Sequence, residues 1–232
     1  MAIITPTRTT GARSVPVNMT EVPPDVTMPL EALQAMAPDA RLNAAFLSDL
    51  LSSFLAHEQC GVHLYRTVAG STANPMLEAK YRAFLADTER HVEILMRLIS
   101  QLGGDPQYVS PTARLVHAMN THLLQGVVLA NGSADELPRE MAMLEAVMLA
   151  ETKDHADWSF LASLRDGLPE GPTREAVTKA VEEVEPEEDE HLGWAQKTWQ
   201  RMNTMQVTSS TMMKVTDFAE KAFATVKSAV TP

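Results

Sequence analysis

Cysteine is almost absent: Cys60 stands alone in 232 residues, so no intrachain disulfide framework can hold this fold. That usage fits a reducing compartment, and a cytoplasmic location is the expectation. Aromatic residues make up only 5% of the chain and glycines number 10, while Ala, Leu and 14 Met are plentiful. A scarcity of β-formers beside an abundance of helix-formers points to helices and away from sheets. No apolar run approaches the roughly 18 residues of a membrane span. Residues 1–20 carry Arg8 and Arg13 among Thr and Pro, without the apolar core of a signal peptide. Basic charge is also short, 19 Lys and Arg against 30 Asp and Glu, for a net charge of −11. Nucleic acid and anionic membrane are therefore poor partners, whereas collecting cations is compatible with the balance. No phosphate-cradling Gly loop, Cys-pair zinc motif or nucleophile elbow occurs.

What is present is helical periodicity. Residues 1–37 read as an extended or disordered arm, because Pro6, Pro16, Pro23, Pro24 and Pro29 forbid a long helix. A short helical turn fits between Pro29 and Met36. Residues 38–202 read as one bundle of four long helices, predicted over 39–69, 75–102, 138–165 and 172–201. A shorter helix over about 112–129 lies in the long connection between the second and third. A connection of that length can cross the bundle instead of joining neighbours by a tight turn. Pro186 falls inside the fourth helix, where it removes a hydrogen bond, costs about 3 kcal/mol and predicts a kink. Residues 203–232 open on a polar break and then carry an amphipathic helix with Met213, Val215, Phe218, Phe223, Val226 and Val230. That segment is a candidate for docking on the bundle or on a partner.

Each long helix carries polar residues on its apolar stripe. The first reads Leu47, Leu51, Phe54, Glu58, Val62, Tyr65; the second Tyr81, Phe84, Thr88, His91, Leu95; the third Leu144, Met148, Glu151, His155, Trp158. On the fourth, Val177, Val181 and Val184 precede Glu188 and His191, with Ala195 and Met202 after them. Glu188 and His191 stand three apart, on one helix face. The bland alternative is that residues 187–190 form a solvated acidic run with His191 incidental. Flanking Val and Ala on that face speak against it, and no Lys or Arg shares the stripes to compensate the carboxylates. The chain also repeats itself as two hairpins, each with a Glu followed by a His, 33 residues later in the first and 40 in the second. His57, His63, His117 and His122 read as surface or packing residues, and Cys60 as a small buried hydrophobe.

This constellation resembles the ferritin-like, rubrerythrin-like superfamily of carboxylate-bridged dinuclear metal proteins. There, two helices supply one Glu each and the other two supply Glu-x-x-His each. The resemblance spans about residues 39–202 and implies an all-α, ferritin-like four-helix bundle with a long crossover. It implies Glu58 and Glu151 as terminal carboxylates, His91 as the second helix's imidazole, and Glu188 with His191 as a complete Glu-x-x-His. One position departs: Thr88 stands where the family has a bridging Glu. Asp87, four residues before His91, and His155, four after Glu151, are the candidates to compensate.

Carboxylate-rich sites with one His per ion favour iron, with manganese as the alternative. The iron would be dinuclear, or mononuclear because of Thr88. The resemblance implies an oxidoreductase using dioxygen or peroxide, of ferroxidase or oxygenase type. No rubredoxin-like pair of Cys-x-x-Cys is present, which disfavours a self-contained rubrerythrin peroxidase. The other reading is a non-catalytic helical interaction or structural module with a partial or empty site. A homodimer or larger homo-oligomer is the expected assembly.

Overall fold

The computed structural model describes residues 26–132 and 135–208. The extended arm up to residue 25 and the amphipathic segment beyond 208 lie outside the described residues. Within them are six helices: α1 (Leu30–Gln34), α2 (Ala44–Ser71), α3 (Pro75–Gln101), α4 (Pro111–Asn131), α5 (Glu136–Gly167) and α6 (Pro172–Thr208). The described residues contain no strand beyond a single bridge between Val26 and Val109, in keeping with the all-helical expectation. None of the helices is long and apolar enough to cross a membrane.

Capping chemistry sets the boundaries. Asn74 accepts from the backbone N–H of Met76 and Leu77 with Pro75 at the first helical position, and Ser110 accepts from Ala113 N–H ahead of Pro111. The first long helix begins five residues later than its predicted start at 39. Asn43 caps it by accepting from Phe46 N–H, and Ala37 and Arg41 before it hold positive φ of 48° and 52°. Asp39 serves another helix: it accepts from the backbone N–H and the hydroxyl of Thr173, at the start of α6. The first turn of α6 offers orphan N–H groups, so an Asp from across the chain is a natural partner. α6 runs helical through Pro186 and seven residues past its predicted end.

α2 and α3 form one antiparallel hairpin and α5 and α6 another, while α4 crosses over and packs on α2 and α5. The core falls into two large apolar clusters and a small third one around Leu144 and Met202. One large cluster gathers Leu47, Leu51, Leu95, Leu98, Leu161, Val177 and Val181. The other gathers Tyr65, Val68, Leu77, Tyr81, Phe84, Met143 and Val147. Between the two large clusters the buried side chains are polar, among them Glu58, His91, Glu151, Asp154, Glu188 and His191, and they form a layer across the middle of the bundle.

Candidate metal centre

Four helices bring one side chain or more into that layer. Glu58 from α2, His91 from α3, Glu151 from α5, and Glu188 and His191 from α6 are each at most 2% exposed. Their ligand atoms fall into two groups: Glu58, His91 and Glu188, and Glu151, Glu188 and His191. Within each, one donor atom per residue lies within 4.8 Å of the others. Glu188 is common to both. Its Oε1 lies 2.9 Å from His91 Nδ1 and 3.8 Å from His191 Nδ1. The two imidazoles face each other with centroids 5.8 Å apart and planes 29° from parallel, and Phe84 packs on His191 at 3.9 Å.

The outer edge of each ring is tied to an acid from the facing helix. His91 Nε2 lies 2.8 Å from Glu187 Oε2, and His191 Nε2 lies 3.3 Å from Asp87 Oδ2. Burial pushes Glu187 upward, but hydrogen bonds from Arg90 and His91 hold it below the usual carboxylate range. An ionised carboxylate can only accept, so the proton of neutral His91 sits on Nε2. Its Nδ1 then turns a bare lone pair toward Glu188 and Glu58, and burial keeps this imidazole below its ordinary pKa.

The terminal carboxylates are each fixed by one aromatic donor. Trp158 Nε1 donates to Glu58 Oε1 at 2.7 Å, and Tyr65 Oη donates to Glu151 Oε1 at 2.6 Å. The second oxygens are left over. Glu58 Oε2, Glu151 Oε2, Glu188 Oε2, His91 Nδ1 and His191 Nδ1 are all buried without a hydrogen-bond partner. Buried polar atoms without partners are rare, because each costs about 1–3 kcal/mol or more. Here five of them are acceptors that meet in one place. Acceptors that converge repel one another unless a proton or a cation stands between them. Burial accordingly drives the Glu58 carboxyl up to about 8 and Glu188 well above its usual range. A divalent cation fits the donor set, being hard or borderline, with oxygens and imidazole nitrogens on offer.

The two less secure sequence candidates are placed elsewhere. His155 is 35% exposed and pairs through Nε2 with Asp189 at 2.9 Å, on the outside of the α5–α6 hairpin. Asp87 takes the outer edge of His191 and does not join either donor group. Thr88 is buried, but its hydroxyl donates to Phe84 O, one turn back on its own helix. Cys60 is a buried hydrophobe whose thiol burial pushes up to about 12.

Five further residues went unassigned to the centre at the level of sequence. Tyr65 and Trp158 each follow their hairpin's Glu by seven residues, which is two turns and the same face. Glu187 precedes His191 by four, as Asp87 precedes His91. These repeated offsets were the available signal. His57 carried none. It is 4% exposed, accepts from Asn120 Nδ2 on Nδ1, and donates from Nε2 to Ala150 O, and burial lowers its pKa to about 4. Asp154 is 3% exposed, 3.5 Å from His57 Nε2, and held well above its usual range by burial and by Glu58 and Glu188.

No protein-family model, curated protein or solved structure matches this chain.

Proposed function

We propose that this chain is a ferritin-like metal protein whose bundle holds a pair of iron or manganese ions, and that it acts as an oxidoreductase on dioxygen or peroxide. The observation that carries the reading is the convergence of five buried, unpartnered acceptors from four helices. In this reading Glu58 and His91 would hold one ion and Glu151 and His191 the other, with Glu188 common to the two donor groups. Bound ferrous or manganous ions would supply the electrons for reducing dioxygen or peroxide.

The chain's own groups do the rest. Trp158 and Tyr65 each tie down one oxygen of a terminal carboxylate and leave the other directed inward. Glu187 and Asp87 fix the two rings with Nδ1 inward, the usual work of an outer carboxylate on a ligating His. The apolar clusters on both sides exclude water, which strengthens every electrostatic contact within the layer. The Thr88 hydroxyl, bonded to its own helix, favours a second reading in which only one ion is retained and the bundle serves as a structural module.

Ferrous ion added in air to the purified chain tests this, with near-ultraviolet absorbance followed and bound metal counted. The expected result is a rise in absorbance and about two ions per chain, as a two-helix-pair carboxylate site takes. Both should be lost in Glu188→Ala. Wild-type protein that behaves like Glu188→Ala removes the oxidoreductase reading, and binding without absorbance change leaves the structural module.

A further inference from the structure

The carboxylate absent at Thr88 has a counterpart elsewhere in the layer. Position 88 stands three residues before His91, as Glu188 stands three before His191. The matching positions on the other two helices differ as well. Three residues after Glu58 comes Gly61; three residues after Glu151 comes Asp154. A Cβ at Gly61 would meet Thr88 Cγ2 at 3.2 Å and Asp154 Oδ2 at 3.9 Å. The carboxylate of Asp154 thus lies close to Gly61 and Thr88, next to the two donor groups though not among their atoms.

Its place along α5 agrees. Glu151, Asp154 and Trp158 share one face at offsets of three and seven. Glu151 belongs to the second donor group, and Trp158 reaches across to Glu58 of the first. Asp154 lies between them, about 4.5 Å along the axis from Glu151. No cation answers its charge. The Lys153 ammonium goes to Asp157, and the nearby His57 is neutral, with its proton directed at Ala150 O. The charges agree as well: Glu58, Glu151 and Glu188 bring three negative charges, and two divalent cations bring about four positive. A fourth buried carboxylate balances them.

We propose that Asp154 supplies from α5 the carboxylate that Thr88 does not supply from α3, so that the ion beside Glu58 and His91 is held by Asp154 as well. This rests on the reading of the layer as a metal centre. The metal-stripped full chain titrated with manganese(II) tests it, with binding followed by calorimetry and thermal melting recorded with and without the ion. Wild type should take up about two ions. Asp154→Asn should bind one as before and the second at least about 10-fold more weakly. Without metal the same variant should melt no lower than wild type, since an uncharged amide of the same shape replaces a buried carboxyl that keeps its proton. Thr88→Glu combined with Asp154→Asn should recover the second ion.

Two ions bound at wild-type affinity by Asp154→Asn overturn the proposal and leave the metal centre standing. So does a double variant that melts normally yet binds as poorly as Asp154→Asn. Wild type that binds no manganese, indistinguishable from Glu188→Ala, overturns the metal centre itself and Asp154 with it.

Discussion

The α2–α3 and α5–α6 hairpins are built on the same offsets. In each, a Glu is followed seven residues later by an aromatic donor, and the partner helix carries an acid four residues before its His. The contacts are reciprocal: Tyr65 of the first hairpin holds Glu151 of the second, and Trp158 of the second holds Glu58 of the first. Glu187 and Asp87 cross in the same way to the opposite His. The donors themselves are unequal. The first hairpin brings Glu58 and His91 into the layer, with Gly61 and Thr88 beside them. The second brings Glu151, Glu188 and His191, with Asp154 adjacent. Supporting contacts are thus kept in pairs while the carboxylates gather on one side, and Glu188 of the second hairpin joins the first one's donors.

Glu188→Ala is the strongest way to break that relation. Losing an outer partner of a ligand costs about 10–100-fold in affinity, and Glu188 is the donor shared by both groups. Its removal should lower manganese loading at both positions by more than about 100-fold. Loss of a single ion, counted by metal analysis after desalting, would show that the hairpins work independently.

Acidity sharpens the comparison through stability. Burial raises Glu58, to about 8, and raises Glu188 and Asp154 as well. In the metal-stripped fold these carboxyls keep protons that the unfolded chain releases near its ordinary carboxylate pKa. Their stabilisation is complete below that value and is lost as pH climbs through the folded values. His57 and His91, lowered by burial, work in the opposite sense, but only below their ordinary 6.5. Between pH 6.5 and 8 the carboxyls therefore act without opposition from these two. Stability should fall by about 1.4 kcal/mol per pH unit for each carboxyl that releases its proton only on unfolding. Manganese-loaded protein should change far less, because the ions hold the carboxylates ionised. Parallel pH profiles for the stripped and loaded forms, read from denaturant melts, would contradict this.

Much of the arrangement was legible in the chain. The stripes that placed Glu58, His91, Glu151, Glu188 and His191 on core-facing sides are local, and helical spacing reports them directly. The cap supplied by Asp39 and the surroundings of Asp154 were not legible, because both depend on what lies across the bundle. Asp39 resembled the start of the first long helix and instead caps α6. Spacing puts Asp154 on the face of Glu151 and Trp158 but shows nothing of what it meets across the bundle. Thr88 reads as a missing carboxylate only through the resemblance, and the local candidates to compensate, Asp87 and His155, lie outside the donor groups. The close approach of Gly61, Thr88 and Asp154 is a tertiary fact.

A smaller effect separates the outer partners. Glu187 lies 2.8 Å from His91 Nε2, and its guanidinium partner Arg90 keeps it ionised; Asp87 lies 3.3 Å from His191 Nε2. Glu187→Gln should weaken the ion beside His91 by about 10–100-fold, and Asp87→Asn should weaken the ion beside His191 by less. The reverse order in paired titrations would mean that the shorter contact is not the stronger one.

The smallest effect belongs to His155. It shares the α5 stripe with Glu151, at an offset of four that turns it about 40° around the axis. That rotation, opposite in sense to the one that places Asp154, brings it to Asp189, itself 65% exposed. An exposed pair of this kind contributes at most about 1 kcal/mol. His155→Ala should leave manganese stoichiometry and affinity at wild-type values and shift stability by about 0.5 kcal/mol or less. A weakened second ion in this variant would draw His155 into the centre. The second hairpin would then complete its own ion as well as the first one's, and the reciprocity of the two hairpins would end at the supporting residues.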